Sequence, residues 1–151
     1  MKFSLALPRE ALSIPVVRRV LGDALRGLGV AEDCVGDILV AVSEASTNVV
    51  QHAPNSTNFE VVAVIDGDLC VLKVVDKGQG FQGGPDGPVE WDSESGRGIS
   101  IMRALVDHVS FDTLRGTPDD TGTAVYLQKR LTWDDEALIR RLERELVHSG
   151  R

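Results

Sequence analysis

The chain has 151 residues, 42% hydrophobic and 26% charged, the balance of one globular domain rather than of a disordered segment. A formal charge of −7 excludes a generic nucleic-acid binder, which must neutralise phosphates with Lys and Arg. The longest apolar runs, such as residues 61–65, fall well short of the roughly 18 residues of a membrane helix, and Met1-Lys2-Phe3 opens no secretory signal.

In chain order, Phe3, Leu5 and Leu7 alternate with Lys2, Ser4 and Ala6, which predicts a half-buried strand closed by Pro8. Pro15 suits a first helical turn, and the helix it opens runs to Leu28 and stops at Gly29. A second helix spans about Glu32 to His52. Its Val35, Ile38, Leu39, Val42, Ser46, Val49 and Val50 make one face for a sheet, and Asp37, Glu44, Asn48 and Gln51 collect opposite. Strands follow at Asn58–Ile65 and Leu69–Val75, joined at Asp66-Gly67-Asp68, a hairpin signal. Residues 78–98 are rich in glycine and proline and read as a long loop without regular structure, suited to a lid. A short helix is expected over Ile99–Val106, strands over Val109–Leu114 and Thr123–Leu131, and a last helix over about 134–147 with acid at its positive end. Within that helix Leu138, Leu142 and Leu146 repeat every four residues, which reads first as packing on the domain itself and second as a partner or dimer surface. His52 reads as a helix-closing residue rather than an acid-base group, and Trp91 as a loop anchor or partner contact. Cys34 and Cys70 lack metal-ligand spacing, which fits a reducing cytoplasm. The layout is one domain over residues 1–151, an α+β sandwich with helices on one side of a single sheet.

Three motifs carry chemistry. Glu44 and Asn48 sit one helical turn apart on one face, where an amide oxygen can bind a hard cation and a carboxylate can orient or deprotonate a hydroxyl. Asp76-Lys77-Gly78-Gln79-Gly80 follows an apolar strand; the acid can accept a hydrogen bond from an exocyclic amine, and the glycines let backbone approach a flat ring. Ser95-Gly96-Arg97-Gly98 opens a helix, where free N–H groups, the helix dipole and Arg97 can hold phosphate oxygens. Each alone has an ordinary reading: a solvated helix face, a strand-ending turn, a glycine pair.

In this order they resemble the GHKL (Bergerat-fold) ATP-binding domains, with Glu44–Asn48 as the N box, Asp76–Phe81 as the G1 box, Gly96–Ile99 as the G2 box and Gly122–Val125 as the last motif. The resemblance covers about residues 16–129. It implies a two-layer α/β sandwich with a mixed, mostly antiparallel sheet. Within that family the chain is most similar to the anti-sigma factor serine kinases of bacterial partner-switching systems. That likeness implies a cytoplasmic, homodimeric protein serine/threonine kinase using ATP and Mg²⁺, which phosphorylates an anti-sigma factor antagonist and otherwise sequesters a sigma factor. Neither nucleic acid nor membrane is implied. Residue by residue it implies Glu44 as base, Asn48 as Mg²⁺ ligand, Asp76 as adenine acceptor with Thr123 beside it, and Gly78, Gly80, Gly96, Arg97 and Gly98 around the nucleotide. Glu94 departs from relatives that carry an arginine two residues before the first G2 glycine. That departure favours the alternative of a non-catalytic nucleotide-binding interaction module. A detached histidine-kinase catalytic domain fits less well, because no phosphoacceptor histidine on a dimerising helix pair precedes the domain.

Overall fold

A computed structural model describes residues 1–52, 58–76, 93–115 and 121–150. Nine elements follow in the order β1 (Lys2–Pro8), α1 (Ser13–Leu28), α2 (Glu32–His52), β2 (Asn58–Asp66), β3 (Leu69–Asp76), α3 (Ser93–Leu105), β4 (His108–Arg115), β5 (Thr121–Arg130) and α4 (Asp135–Ser149). The strands form one sheet in the order β1-β2-β3-β5-β4. Every pairing is antiparallel, so the expected mostly antiparallel sheet carries no parallel pair among the described strands.

Period-two alternation decides which face the helices cover. On β2, Phe59, Val61, Ala63 and Ile65 are buried, and on β3 Cys70, Leu72 and Val74 continue the same face. Val17, Leu21 and Leu25 of α1 and Val35, Ile38, Val42 and Val49 of α2 close over it, each at 3% exposure or less. Helix α1 lies against β1 and α2, α2 against β3 and β5, and α3 against α2 and β4. The β2–β3 turn is as short as Asp66-Gly67 predicts: Gly67 takes φ 58° while Asp68 keeps negative φ.

Gly29 ends α1 in the left-handed region at φ 90°, with its N–H on the Arg26 carbonyl at 3.0 Å. A side chain there would also collide with the Ala137 methyl. The last connection is tied to this turn. Ala31 N–H donates to the Thr132 carbonyl at 2.8 Å, Asp134 N–H to the Gly29 carbonyl at 2.9 Å, and Trp133 Nε1 to Asp68 Oδ1 at 2.9 Å. Asp134 then caps α4, accepting from Ala137 N–H at 2.7 Å.

Three expectations change. The helix expected from Ile99 begins at Ser93, so residues 93–98 are helical rather than the end of a loop; burial against α2 outweighs the roughly 1 kcal/mol cost of each glycine in a helix. The expected lid over residues 78–92 lies outside the described residues, as does Trp91. Asn48 is not on a solvated face: it is 4% exposed, because α3 covers that side of α2. And α4 does not bury Leu142 and Leu146 on its own domain, since they are 51% and 70% exposed; the Leu138 side chain lies outside the described residues.

Candidate functional site

Two elements bring the polar groups together at one end of the sheet. The 3.6-residue period puts Glu44 and Asn48 on the same side of α2, and α3 crosses that side with Gly98. A Cβ built on Gly98 would stand 3.0 Å from Glu44 Oε2, 3.7 Å from Asn48 Oδ1 and 3.8 Å from Asn48 Nδ2. Only glycine lets the α3 backbone come this close to a carboxylate and an amide at once. The spacing of 50 residues between Asn48 and Gly98 is therefore closed by a direct packing contact.

Asn48 Nδ2 is buried and has no hydrogen-bond partner among the described residues. An amide in that condition, beside the Glu44 carboxylate, is an expensive arrangement for a purely structural site. It suits a site that completes its contacts with a ligand. The donor set is hard oxygen, the kind Mg²⁺ takes, and among the described residues no three His, Cys, Asp or Glu side chains cluster to form an all-protein metal cage. Mg²⁺ held by one or two side-chain oxygens and by phosphate oxygens fits that donor set.

Asp76 ends β3 at 4% exposure. Antiparallel register places it opposite Phe59 of β2 and Thr123 of β5, so the predicted neighbours Asp76 and Thr123 are cross-strand partners. This is the end of the sheet nearest the C-terminal half of α2: Arg9, just past the β1 residue paired with Asn58, reaches the Val50 carbonyl. Arg97 is exposed on the first turns of α3. Gly96 belongs to the first turn, at the end of the helix that leaves N–H groups open. Gly98 is two residues further on, where N–H groups pair within the helix, so its contribution is close approach rather than a free donor. Gly78 and Gly80 lie outside the described residues.

Several supporting contacts carry no sequence signal. Arg9 Nη1 donates to the Val50 carbonyl at 3.0 Å, satisfying an otherwise open acceptor in the last turn of α2. Arg18 Nη1 donates to Ser43 Oγ at 2.8 Å, and Thr47 Oγ1 to the Ser43 carbonyl at 2.8 Å. Lys129 Nζ reaches the Leu105 carbonyl at 2.8 Å, holding the end of α3, and lies 3.6 Å from Asp37 Oδ2 of α2. The Ser46 hydroxyl, expected only as a packing position, is fully buried with no partner among the described residues. Cys70 is remote from this chemistry; burial pushes its thiol up to about 12, which leaves it protonated and unreactive.

Comparison with known proteins places the chain in a family. Residues 7–129 match the family model of the histidine kinase-like ATPase domain. The chain is 34% identical over 123 residues to the serine-protein kinase RsbW of Bacillus velezensis, covering 73% of this chain and 77% of that one. To the serine-protein kinase RsbW of Bacillus cereus it is 29% identical over 120 residues, covering 72% and 75%. In fold it is similar to a crystal structure of the RsbU and RsbW domains of Rv1364c from Mycobacterium tuberculosis, with TM-score 0.64 and 23% identity; the match takes in 87% of this chain and 32% of that longer one. With a family model spanning most of its length and a relative 34% identical over 123 residues, the chain belongs to the histidine kinase-like ATPase domain family.

Proposed function

We propose that this protein is an ATP-dependent protein serine/threonine kinase of the RsbW type, acting in the cytoplasm as a homodimeric anti-sigma factor. Its substrate is a small anti-sigma factor antagonist, and its other partner is a sigma factor. The reading rests on similarity to serine-protein kinases named RsbW, and the observation that carries it is the seat of Gly98 against Glu44 and Asn48. One domain, with its core over residues 16–129 and α4 appended, does the work.

In this reading Asp76 accepts a hydrogen bond from the adenine amine at the mouth of β3, and Thr123 flanks it. Gly78 and Gly80 bring backbone to the ring. Gly96 and Arg97 hold phosphate oxygens at the start of α3, the end of a helix where the dipole favours anions. Asn48 supplies an oxygen to Mg²⁺, which when bound offsets phosphate charge. Glu44 accepts the proton of the attacking hydroxyl as its oxygen bonds to the terminal phosphorus and the bond to ADP breaks.

The experiment is transfer of labelled phosphate from ATP to candidate antagonists, with wild type and Glu44→Ala. A positioned base contributes about 10²–10⁴-fold. Transfer should fall by that order in the variant while nucleotide affinity stays within a few-fold. Glu94 in place of a phosphate-reaching arginine favours a second reading, a nucleotide-binding module that only captures its partner. Wild-type protein that binds ATP and partner but transfers no phosphate to any antagonist establishes that reading instead.

A further inference from the structure

Helix α4 is mounted with Ala137 and Arg141 toward the body and Ile139, Leu142 and Leu146 outward. Ala137 packs against the Gly29 turn, Arg141 stacks on the Trp133 ring at 3.9 Å and reaches Asp68 at 3.8 Å, and Arg144 lines the cavity of about 260 Å³ between α4 and the end of α1. Positions 137, 141 and 144 follow i, i+4, i+7 spacing, so they make one side of the helix and fix it toward the body. The opposite side carries Ile139, Leu142 and Leu146, at 56%, 51% and 70% exposure. Their i, i+3, i+7 spacing is that of the a and d positions of a helix–helix seam. The helix has its own N-cap and is tied to the core through Trp133 and Asp134, so the outward stripe is presented on an anchored element.

Charge identifies what covers it. The positions flanking such a seam hold Glu136, Glu143 and Glu145, and Asp135 stands at its start. Glu136 pairs with Arg140 at 3.3 Å, whereas Glu143 and Glu145 make no ion pair among the described residues. Flanking charges select the partner in helix pairing. A second copy of α4 would set glutamates against glutamates, so self-pairing is disfavoured. We propose that the Ile139–Leu142–Leu146 face docks an amphipathic helix of a partner protein, one whose apolar stripe is flanked by lysines or arginines. The net charge of −7 steers such a basic segment toward the molecule as a whole. This surface is separate from the nucleotide site and stands or falls independently of kinase activity.

The test uses the full chain and a fluorescein-labelled helical peptide with leucines along one stripe and lysines beside it, read by fluorescence anisotropy. A peptide with glutamates in place of the lysines is the comparison. The lysine peptide should bind, and Leu142→Ser with Leu146→Ser should weaken it by about tenfold or more, since each leucine loses its burial on docking. Glu143→Lys with Glu145→Lys should reverse the preference toward the glutamate peptide. All four side chains are exposed, so unchanged melting of the variants is expected and checks that the fold persists. Three results overturn the proposal: no binding of the lysine peptide, equal binding of both peptides, or a wild-type dimer in sedimentation that the leucine variants convert to monomer. The last would assign the face to a second copy.

Discussion

At Gly98 a single missing methyl group separates stability from activity. Alanine is the better helix former by about 1 kcal/mol, so the interior of α3 gains from Gly98→Ala. Its Cβ, however, would stand 3.0 Å from Glu44 Oε2, the free end of a side chain that can swing away. Displacing a reacting group by about 1 Å costs about a hundredfold in rate. We therefore expect Gly98→Ala to melt no lower than wild type while phosphoryl transfer falls by about that factor; thermal unfolding and a transfer assay read the two effects separately. Cys70 sets a pH limit by a different route. Its thiol is raised from 9.0 to about 12 mainly by burial, so the folded chain keeps a proton that the unfolded chain releases. The stability this represents is whole below pH 9 and is lost as pH rises from 9 toward 12. Urea midpoints should fall through that window, and Cys70→Ala, which cannot ionise, should flatten the fall.

Among the elements, α4 depends on its first turn more than on its length. Asp134 accepts the Ala137 N–H at 2.7 Å and donates its own N–H to Gly29 at 2.9 Å, which joins the helix start to the α1–α2 turn. Removing the cap by Asp134→Ala should cost about 1 kcal/mol, read as a lower urea midpoint with helicity lost from α4 first. Gly29→Ala should cost more, because φ 90° and the Ala137 methyl both reject a side chain. The elements themselves were largely legible. The hairpin of β2 and β3, the length of α2 and the acidic start of α4 all follow from local signals: alternation, i+3/i+4 spacing, Asp-Gly and acid at the positive end of a helix. The start of α3 was not legible, because Ser95-Gly96-Arg97-Gly98 favours loop locally and becomes helix by packing on α2.

For the whole molecule, the nucleotide site predicts ligand-linked stability. At a nucleotide concentration about a hundredfold above Kd, binding adds about 2.7 kcal/mol, or roughly 5–10 °C in Tm for a chain of this size. ATP with Mg²⁺ should raise the wild-type melting temperature by that order. Asp76→Asn turns a hydrogen-bond acceptor into a group that presents a donor to the adenine amine, and the rise should largely vanish, matching an affinity loss of about 1–3 kcal/mol by calorimetry. An undiminished rise in the variant removes Asp76 from the adenine site.

By itself the sequence determined the one-sheet α+β layout and the identity of the polar residues worth asking about, because hydrophobic period and capping residues act within a few positions of one another. Glu44 and Asn48 could be set on one helix face, and Asp76 at a strand end, from spacing alone. Only the tertiary structure decided that Asn48 is buried beneath Gly98, and that α4 sets Ala137 against Gly29 and Arg141 toward Asp68. Each of these is a contact between segments dozens of residues apart. Its free energy comes from which surfaces the whole chain can bury together, and no local window of sequence contains that choice.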